Sequence, residues 1–284
     1  MDNIGNISVV IPTYNRRQTI GRSIDSVLNQ TLFPSEIIVV DDGSTDETSD
    51  YIQSNFPSIR LLQQPNKGVS AARNMGIRSA DANWITLLDS DDEWFPEKLE
   101  KQVMALSQNP DIKFCHTEEI WFRNGVRVNQ MKKHQKYGGH IFNKCLDMCR
   151  ISPSSVLFHQ SILDDVGYFD KDLKVCEDYD LWLRITAKFP VLYIDEPLIK
   201  KYGGHADQLS KVKDGIESHR IKVLEKLIMQ QFTSGQINAM LKMLIEKLTI
   251  FSIGAKKRGK IKAYNTSKKG LMNYQSWSDY IRRH

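Results

Sequence analysis

The sequence predicts an α/β fold with a mostly parallel sheet and helices on both of its faces. Three observations lead to this fold class. Short apolar runs alternate with segments of helical periodicity between Ile7 and Leu106. Two acidic clusters follow apolar runs, as loops at the ends of strands do. The C-terminal part carries an apolar stripe at helical spacing, which predicts added helices.

The first 110 residues give the clearest pattern of strands and helices. Apolar runs predict strands at residues 7–11, 36–40, 59–62 and 84–88. Helical spacing predicts helices at residues 20–28, 48–56 and 69–80, and at 96–106, where Pro96 occupies a favoured first-turn position. Ligands bind beyond the carboxyl ends of the strands in such sheets, so the acids after the second and fourth strands are expected at one rim.

The rest of the chain is less regular until its end. We expect short strands at 112–116, 155–159 and 191–194, and a helix at 178–187. A weaker helical pattern covers 208–232. The final apolar stripe comprises Ile237, Met240, Leu241, Leu244, Ile245, Leu248 and Phe251.

Composition and charge narrow the classes of function. Hydrophobic residues make up 40% and charged residues 26%, as in ordinary globular proteins, and no apolar run reaches the roughly 18 residues of a membrane span. The N-terminus lacks the features of a secretion signal, so we expect a cytoplasmic protein with free thiols. Cys145 and Cys149, four apart on an expected helix, are interpreted as small hydrophobic residues, with metal binding as the weaker alternative.

The net charge of +5 is unevenly distributed. Residues 254–284 hold nine basic residues and one acidic residue, which leaves a net charge of −3 for residues 1–253. A mildly acidic body argues against a main domain that grips nucleic-acid phosphates. The basic tail is predicted to contact an anionic membrane surface; the alternative is a solvated helical cap that aids solubility.

The acidic clusters are the strongest indication of chemistry. Several carboxylates at one rim repel one another, so protons or a cation must neutralise some of them. The Asp89-Ser90-Asp91 segment offers hard oxygen ligands of the kind that Mg²⁺ and Mn²⁺ bind together with phosphates. The alternative is that these acids only form turns and cap helices.

Four segments together resemble the family 2 glycosyltransferases. Their order and approximate spacing are those of the family, and the resemblance is strong over residues 7–100, moderate to about residue 205 and absent from the tail. The segments are Val9-Val10-Ile11-Pro12-Thr13-Tyr14-Asn15, Val39-Val40-Asp41-Asp42-Gly43-Ser44-Thr45-Asp46, Asn66-Lys67-Gly68-Val69-Ser70-Ala71-Ala72-Arg73-Asn74 and Leu88-Asp89-Ser90-Asp91-Asp92.

The resemblance implies a GT-A fold with a C-terminal helical extension, and it implies roles for single residues. Residues 1–110 would form the donor-binding half, residues 111–206 the acceptor-binding half and residues 207–284 the extension with its basic tail. In the donor half, Pro12 and Tyr14 would line the nucleobase, Asp42 would accept from the base N–H, Arg73 would lie near the ribose and diphosphate, Asp89 would contact the ribose, and Asp91 would bind Mn²⁺ or Mg²⁺.

In the second half, Glu177-Asp178 resembles the family's Glu-Asp motif, and Asp178 matches its catalytic base. Asp is also a favoured N-cap, so Asp178 could cap the following helix instead of, or as well as, acting as the base. His205 matches a histidine that the family places near the metal or diphosphate, and surface or packing roles are its alternatives. Trp94 or Trp182 is expected to border the acceptor side.

The predicted reaction is transfer of a sugar, with inversion, from a nucleoside diphosphate sugar to the hydroxyl of a glycan or lipid-linked acceptor. UDP is the preferred nucleotide, with dTDP and GDP as alternatives, and the setting implied by the resemblance is bacterial surface polysaccharide or glycan assembly. No Gln-x-x-Arg-Trp motif is present, which favours one sugar per visit. The alternatives are a catalytically inactive nucleotide-sugar-binding protein and a nucleic-acid-binding protein acting through the tail; we expect no nucleic-acid partner.

Overall fold

A computed structural model describes residues 4–204 and 215–283. Its strands are β1 (Ile7–Thr13), β2 (Glu36–Asp41), β3 (Arg60–Gln63), β4 (Trp84–Leu87), β5 (Glu93–Trp94), β6 (Phe114–Arg123), β7 (Val126–Val128), β8 (Leu157–His159) and β9 (Leu192–Gly203). Its α-helices are α1 (Ile20–Leu28), α2 (Thr48–Asn55), α3 (Val69–Arg78), α4 (Lys98–Ser107), α5 (Phe142–Cys145), α6 (Ile162–Val166), α7 (Glu177–Lys188), α8 (Ile216–Leu227), α9 (Ser234–Lys257) and α10 (Ile261–Arg283).

The strands form one mixed sheet in the order β3-β2-β1-β4-β8-β6-β9-β5, with β7 paired to β6. β1 pairs in parallel with β2 and β4, and β2 pairs in parallel with β3. β8 runs antiparallel between β4 and β6, so β6 points in the same direction as β4. The carboxyl ends of β1, β2 and β4 therefore meet at one rim.

Alternate residues of β1 explain why helices cover both faces of the sheet. Val9 and Ile11 pack in one core cluster with the apolar residues of α1, whereas Val10 packs in another with Ile77 of α3. A Cβ on Gly76 would lie 2.3 Å from a methyl carbon of Val10, so glycine permits the close approach of α3. The predicted α/β class is thereby confirmed.

The central part of the chain differs from the prediction. β6 and β9 are much longer than the expected strands at 112–116 and 191–194, and they pair in parallel from Cys115 to Arg123. Thr86 of β4, Leu157 of β8 and Cys115 of β6 lie in register across the sheet, so most of β6 extends beyond the level of the rim. The resulting ribbon of β6 and β9 stands beside the acidic loop after β4.

The C-terminal helices share the core of the preceding sheet and helices. The predicted apolar stripe is confirmed in α9, where Met240, Leu241, Leu244 and Leu248 are buried, and it joins Leu224 of α8 in the same cluster as β4 and α7. Within the part of the chain that the structure describes, no helix combines the length and hydropathy of a membrane span. The expectation that Cys145 and Cys149 share a helix is wrong, because α5 ends at Cys145.

Candidate active site

Tyr14 follows β1 at the rim and presents an aromatic ring to the outside. Its side chain is 43% exposed, whereas Pro12, within β1, is buried. The next residue, Asn15, has a φ of 52° and fixes the loop through two hydrogen bonds. Its backbone N–H donates to Oγ of Ser44 at 2.8 Å, and its Oδ1 accepts from the backbone N–H of Thr45 at 2.8 Å. The ring therefore extends from a braced loop and is available for stacking.

Asp42 is buried directly after β2 and organises the turn that leads into α3. Its Oδ1 accepts from Nε2 of Gln64 at 2.6 Å and from the backbone N–H of Lys67 at 2.8 Å. Its Oδ2 accepts from the backbone N–H of Gly68 at 2.8 Å. A carboxylate offers about four lone-pair positions, so one acceptor position remains on Oδ2. The adjacent Asp41 is a turn former, bonded to Ser44 and Ser49.

Arg73 is buried in α3 and connects the two halves of the site. One of its terminal nitrogens donates to Oδ1 of Asp89 and the other to Oε1 of Glu177, both at 2.7 Å. Burial alone would lower the pKa of this guanidinium, but the two carboxylates outweigh burial and raise it further above its ordinary value. Arg73 thus joins the acid that follows β4 to the acid that begins α7.

The loop after β4 holds three acids with different environments. Asp92 is buried and accepts from Oγ of Ser154 at 2.6 Å and from the backbone N–H of Tyr202 at 3.0 Å. Burial, with the nearby charge of Asp91, raises the pKa of Asp92 well above its ordinary value. Asp89 and Asp91 remain partly exposed, so they are the two acids of this loop that a ligand can reach.

Asp178 lies in the first turn of α7, next to the rim. Its Oδ1 accepts from the backbone N–H of Tyr179 at 2.7 Å, and its Oδ2 accepts from the thiol of Cys149 at 3.3 Å. The residue before the helix, Cys176, adopts a left-handed conformation with a φ of 64°, which is strained for a residue with a side chain. The N-cap of α7 is Cys176, with no side-chain cap hydrogen bond, so the alternative that Asp178 caps this helix is wrong, and its carboxylate is partly exposed.

The acids on either side of Asp178 are already engaged. Burial, followed by the charge of Asp178, raises the pKa of Glu177 to about 7, although its pairing with Arg73 opposes this shift. Asp180 is fully buried, with Oδ2 bonded to Arg184 at 2.7 Å and Oδ1 to Lys226 at 2.7 Å. The ion pair of Asp180 with Lys226 therefore connects α7 to α8, and the buried carboxylate of Asp180 is not accessible to a substrate.

Lys201 of β9 is a site residue that the sequence analysis missed. Its ammonium donates to Oγ of Ser152 at 3.0 Å. Its pKa is raised above the ordinary value despite burial, because four carboxylates act on it. These carboxylates are Glu119, Asp92, Asp89 and Asp178. A fixed positive charge thus lies among the acids of the rim. Lys201 could have been predicted as a site residue only if the predicted strand at 191–194 had been extended to residue 201.

The metal ligands predicted from the sequence are Asp91 and His205. His205 lies outside the described residues. Over residues 4–204 and 215–283, no three His, Cys, Asp or Glu side chains are grouped closely enough to hold a metal ion by themselves. Mg²⁺ and Mn²⁺ are commonly held by one or two carboxylates together with water and substrate phosphates, so the partly exposed Asp91 suits such an ion.

The tryptophan prediction is corrected by the structure. Trp94 and Trp182 are buried, and each packs in the core instead of bordering an acceptor site. Trp121 of β6 is partly exposed; its ring lies 4.8 Å from that of His134, and its Nε1 donates to Glu119 at 2.6 Å. It borders a cavity of about 580 Å³ whose other lining residues include Glu118, Glu119, Arg127, Asn129, Gln130 and Gln135.

A second cavity, of about 510 Å³, lies between α1 and β5. Arg17, Arg22 and Lys200 line it, but Tyr14, Asp42, Asp89 and Asp178 do not. Arg22 of α1 also donates to the backbone carbonyl of Asp91 at 2.5 Å, so this cavity lies on the side of the acidic loop that faces α1. The predicted donor residues instead lie along the open rim.

Comparisons with known proteins show the family to which the chain belongs. The family model described as Glycosyl transferase family 2 matches residues 8–167. A glycosyltransferase of Rickettsia bellii is 32% identical over 209 residues, which cover 73% of this chain and 28% of the relative. The Escherichia coli protein WfgD, named as a UDP-Glc:alpha-D-GlcNAc-diphosphoundecaprenol beta-1,3-glucosyltransferase, is 34% identical over 63% of this chain and 69% of its own length. The chain spans only about 28–40% of the length of the first three curated relatives.

Solved structures share the fold. Residues 1–349 of Staphylococcus aureus TarS, in complex with UDP-GlcNAc, match with a TM-score of 0.73 and 19% identity, over 95% of this chain and 81% of that one. The mannosyltransferase PcManGT of Pyrobaculum calidifontis, in complex with GDP-Man and Mn²⁺, matches with a TM-score of 0.59 and 18% identity, over 98% of this chain and 84% of that one. These likenesses assign the GT-A fold.

Proposed function

Because the chain belongs to glycosyltransferase family 2, we propose that it transfers one sugar per visit from a UDP-sugar to an acceptor hydroxyl, with inversion at the anomeric carbon. One observation carries the proposal. The partly exposed carboxylate of Asp178 adjoins Glu177, and Arg73 joins Glu177 to Asp89 of the donor rim. Two ion pairs thus connect the neighbour of the proposed base to the proposed nucleotide site.

The donor is proposed to lie along the rim. Tyr14 would stack on the base, with Pro12 beneath the loop, and the remaining acceptor position on Asp42 would receive a base N–H. The ribose would meet Asp89, which Arg73 holds in place. An aromatic face and one acceptor favour a uracil-like ring; dTDP and GDP are the alternative nucleotides.

Asp91 and His205 are the residues that would hold Mn²⁺ or Mg²⁺. A divalent cation bound there would supply positive charge to the leaving diphosphate. The chain contributes a fixed charge of its own through Lys201, whose ammonium lies near Asp89 and Asp178. Within the low-dielectric site, Lys201 would limit the repulsion between these carboxylates and the incoming diphosphate.

Asp178 is proposed as the general base. As the acceptor oxygen attacks the anomeric carbon, its proton passes to the carboxylate of Asp178, and the bond from that carbon to the diphosphate oxygen breaks. The departing group is the nucleoside diphosphate, and the transition state has oxocarbenium character. The hydrogen bonds from the backbone N–H of Tyr179 to Oδ1 and from the thiol of Cys149 to Oδ2 fix the orientation of this carboxylate.

The acceptor is proposed to bind in the half formed by residues 111–206. The cavity beside Trp121 offers an aromatic ring and several amide and carboxylate groups, which are the groups that bind sugar hydroxyls. Glu119 both lines this cavity and acts on Lys201, which relates the cavity to the acids of the rim. A glycan or lipid-linked acceptor of bacterial surface polysaccharide assembly is the proposed class, supported by the printed name of WfgD.

A thermal-shift screen tests the donor assignment. UDP at 100 times its dissociation constant should stabilise the native protein by about 2.7 kcal/mol through mass action, while GDP should have little effect. Tyr14→Ala should reduce the UDP effect without changing the unliganded melting temperature, because the ring is exposed. Phe33→Ala, at a similarly exposed aromatic residue, is the matched control. Stabilisation by GDP alone would overturn the UDP assignment.

The alternative of an inactive nucleotide-sugar-binding protein predicts the same binding without turnover. Release of UDP from a UDP-sugar in the presence of acceptor, abolished in Asp178→Asn, distinguishes the enzyme from that alternative. Binding without any release across a range of UDP-sugars and acceptors would favour the inactive protein.

A further inference from the structure

The last two helices form a hairpin with an unusual end. α9 ends at Lys257 and α10 begins at Ile261, joined by a turn in which Gly259 has a φ of 66°. α10 then packs back on the core through Leu271, Tyr274 and Trp277. We call residues 250–262 the hairpin tip. The basic tail seen in the sequence is therefore the second arm of a packed hairpin.

The charge of this region has one sign. No acidic residue occurs from residue 247 to residue 278. Lys247 is buried and paired with Glu217, so it belongs to the core. Seven other cations of this stretch are exposed: Lys256, Lys257, Arg258, Lys260, Lys262, Lys268 and Lys269. The first five of them belong to the hairpin tip.

The same tip exposes large aliphatic side chains. Ile250, Ile253 and Ile261 are 63%, 52% and 71% exposed. Ile250, Ile253 and Lys257 are spaced three and four residues apart, so they lie along one face of α9. Isoleucine is usually among the most buried residues, so three exposed isoleucines on the same tip as five exposed cations indicate a surface for a partner with apolar and anionic groups.

We propose that the hairpin tip binds an anionic lipid bilayer, with the isoleucines entering the headgroup region and the cations facing lipid phosphates. Both components are needed, because interfacial helices bind through buried apolar area together with attraction to anionic lipids. Single-stranded nucleic acid is disfavoured, since it is bound by exposed aromatic rings interleaved with cations, whereas the tip exposes aliphatic residues. This surface is separate from the donor rim and needs no sugar nucleotide.

Vesicle co-sedimentation of the full chain tests the proposal. Binding should be strong to vesicles with about 30 mol% anionic lipid and weak to neutral vesicles. It should be reduced at about 0.5 M salt, because salt shortens the Debye length. Replacing Lys256, Lys257 and Lys262 by Gln should lower partitioning by roughly fivefold per cation, or on the order of 100-fold in total. Ile253→Gln should weaken binding to anionic vesicles at every salt concentration.

Matched controls use exposed residues elsewhere. Replacing Lys171, Lys174 and Lys242 by Gln removes the same charge, and Met229→Gln removes an apolar side chain that is 77% exposed. Neither control should alter partitioning, and all variants should keep their melting temperature and UDP binding. Equal binding to neutral and anionic vesicles, or equal losses in tip and control variants, would overturn the proposal. So would tip-dependent retardation of an RNA oligonucleotide without vesicle binding.

Discussion

Replacing Asp178 by Asn tests the proposed base with little change in the shape of the side chain. Asp178 is the second residue of α7, after the N-cap Cys176, and Asn retains the side-chain oxygen that accepts from the backbone N–H of Tyr179. The lost charge–dipole attraction at the start of α7 is about 0.3–1 kcal/mol, and relief of the repulsion with Glu177 offsets part of it. The free energy of unfolding should therefore change by less than about 1 kcal/mol.

The kinetic effect should be far larger. Asn cannot take the acceptor proton, so turnover should fall by roughly 10²–10⁴, the usual contribution of a general base. At about 1.4 kcal/mol for each factor of ten, this corresponds to about 3–5 kcal/mol in the barrier. The assay measures UDP release under saturating donor and acceptor, with UDP binding and urea unfolding measured on the same preparations.

Asp180→Asn is the matched control, two residues further along α7. Asp180 is buried between Arg184 and Lys226, so loss of its charge should destabilise the protein by about 3–5 kcal/mol while the folded fraction keeps its turnover. Full turnover of Asp178→Asn would refute the assignment of the base. Loss of UDP binding in that variant would instead place Asp178 in the donor site.

Three further predictions concern a buried histidine, the acidic loop and the internal lysine. Burial lowers the pKa of His116 to about 3. Its contribution to stability is therefore complete above pH 6.5 and is lost as the pH falls through 3, by about 5 kcal/mol. Urea unfolding should show a shallower acid slope for His116→Asn than for the parent, and equal slopes would contradict the cause. Asp91→Ala should weaken UDP affinity far more with Mn²⁺ than without it, as measured by calorimetry; equal losses would remove Asp91 from the metal proposal. Lys201→Met should lower the free energy of unfolding by about 3 kcal/mol, because it leaves buried carboxylates without their counter-charge. Lys201→Arg keeps the charge and should lower the free energy of unfolding by less. Equal stability of the two variants would contradict the role of Lys201 as a counter-charge.

The sequence predicts the strands correctly where the local pattern of residues matches their burial in the sheet. β1, β2 and β4 are buried on both faces, so they appear as continuous apolar runs, and their observed bounds differ from the predicted ones by at most two residues. The acids that follow these strands are brought to one rim by parallel pairing, which the alternation of strands and helices predicts. Turn chemistry at Asp42 was also visible, although its three hydrogen-bond donors were not.

The missed features depend on pairing between distant segments. The outer parts of β6 and β9 carry mixed polar and apolar residues and contain register shifts after Thr117, so neither shows a clean period. Lys201 and Trp121 face each other only because these strands pair, and no local signal places either one in the site. The burial of Trp94 likewise follows from the hydrogen bond of its Nε1 to the carbonyl of Ser154, 60 residues away.

The shared core of α8 and α9 has a consequence for how this enzyme can be divided. Leu224, Leu241 and Leu244 fill the same interior as Phe114 and Trp182, and Lys226 neutralises Asp180, two residues after Asp178. The predicted boundary near residue 206 therefore does not mark a cleavable module. Any fusion, circular permutation or trimmed catalytic fragment must carry the chain through α9, whereas surface engineering at the turn between α9 and α10 leaves that interior intact.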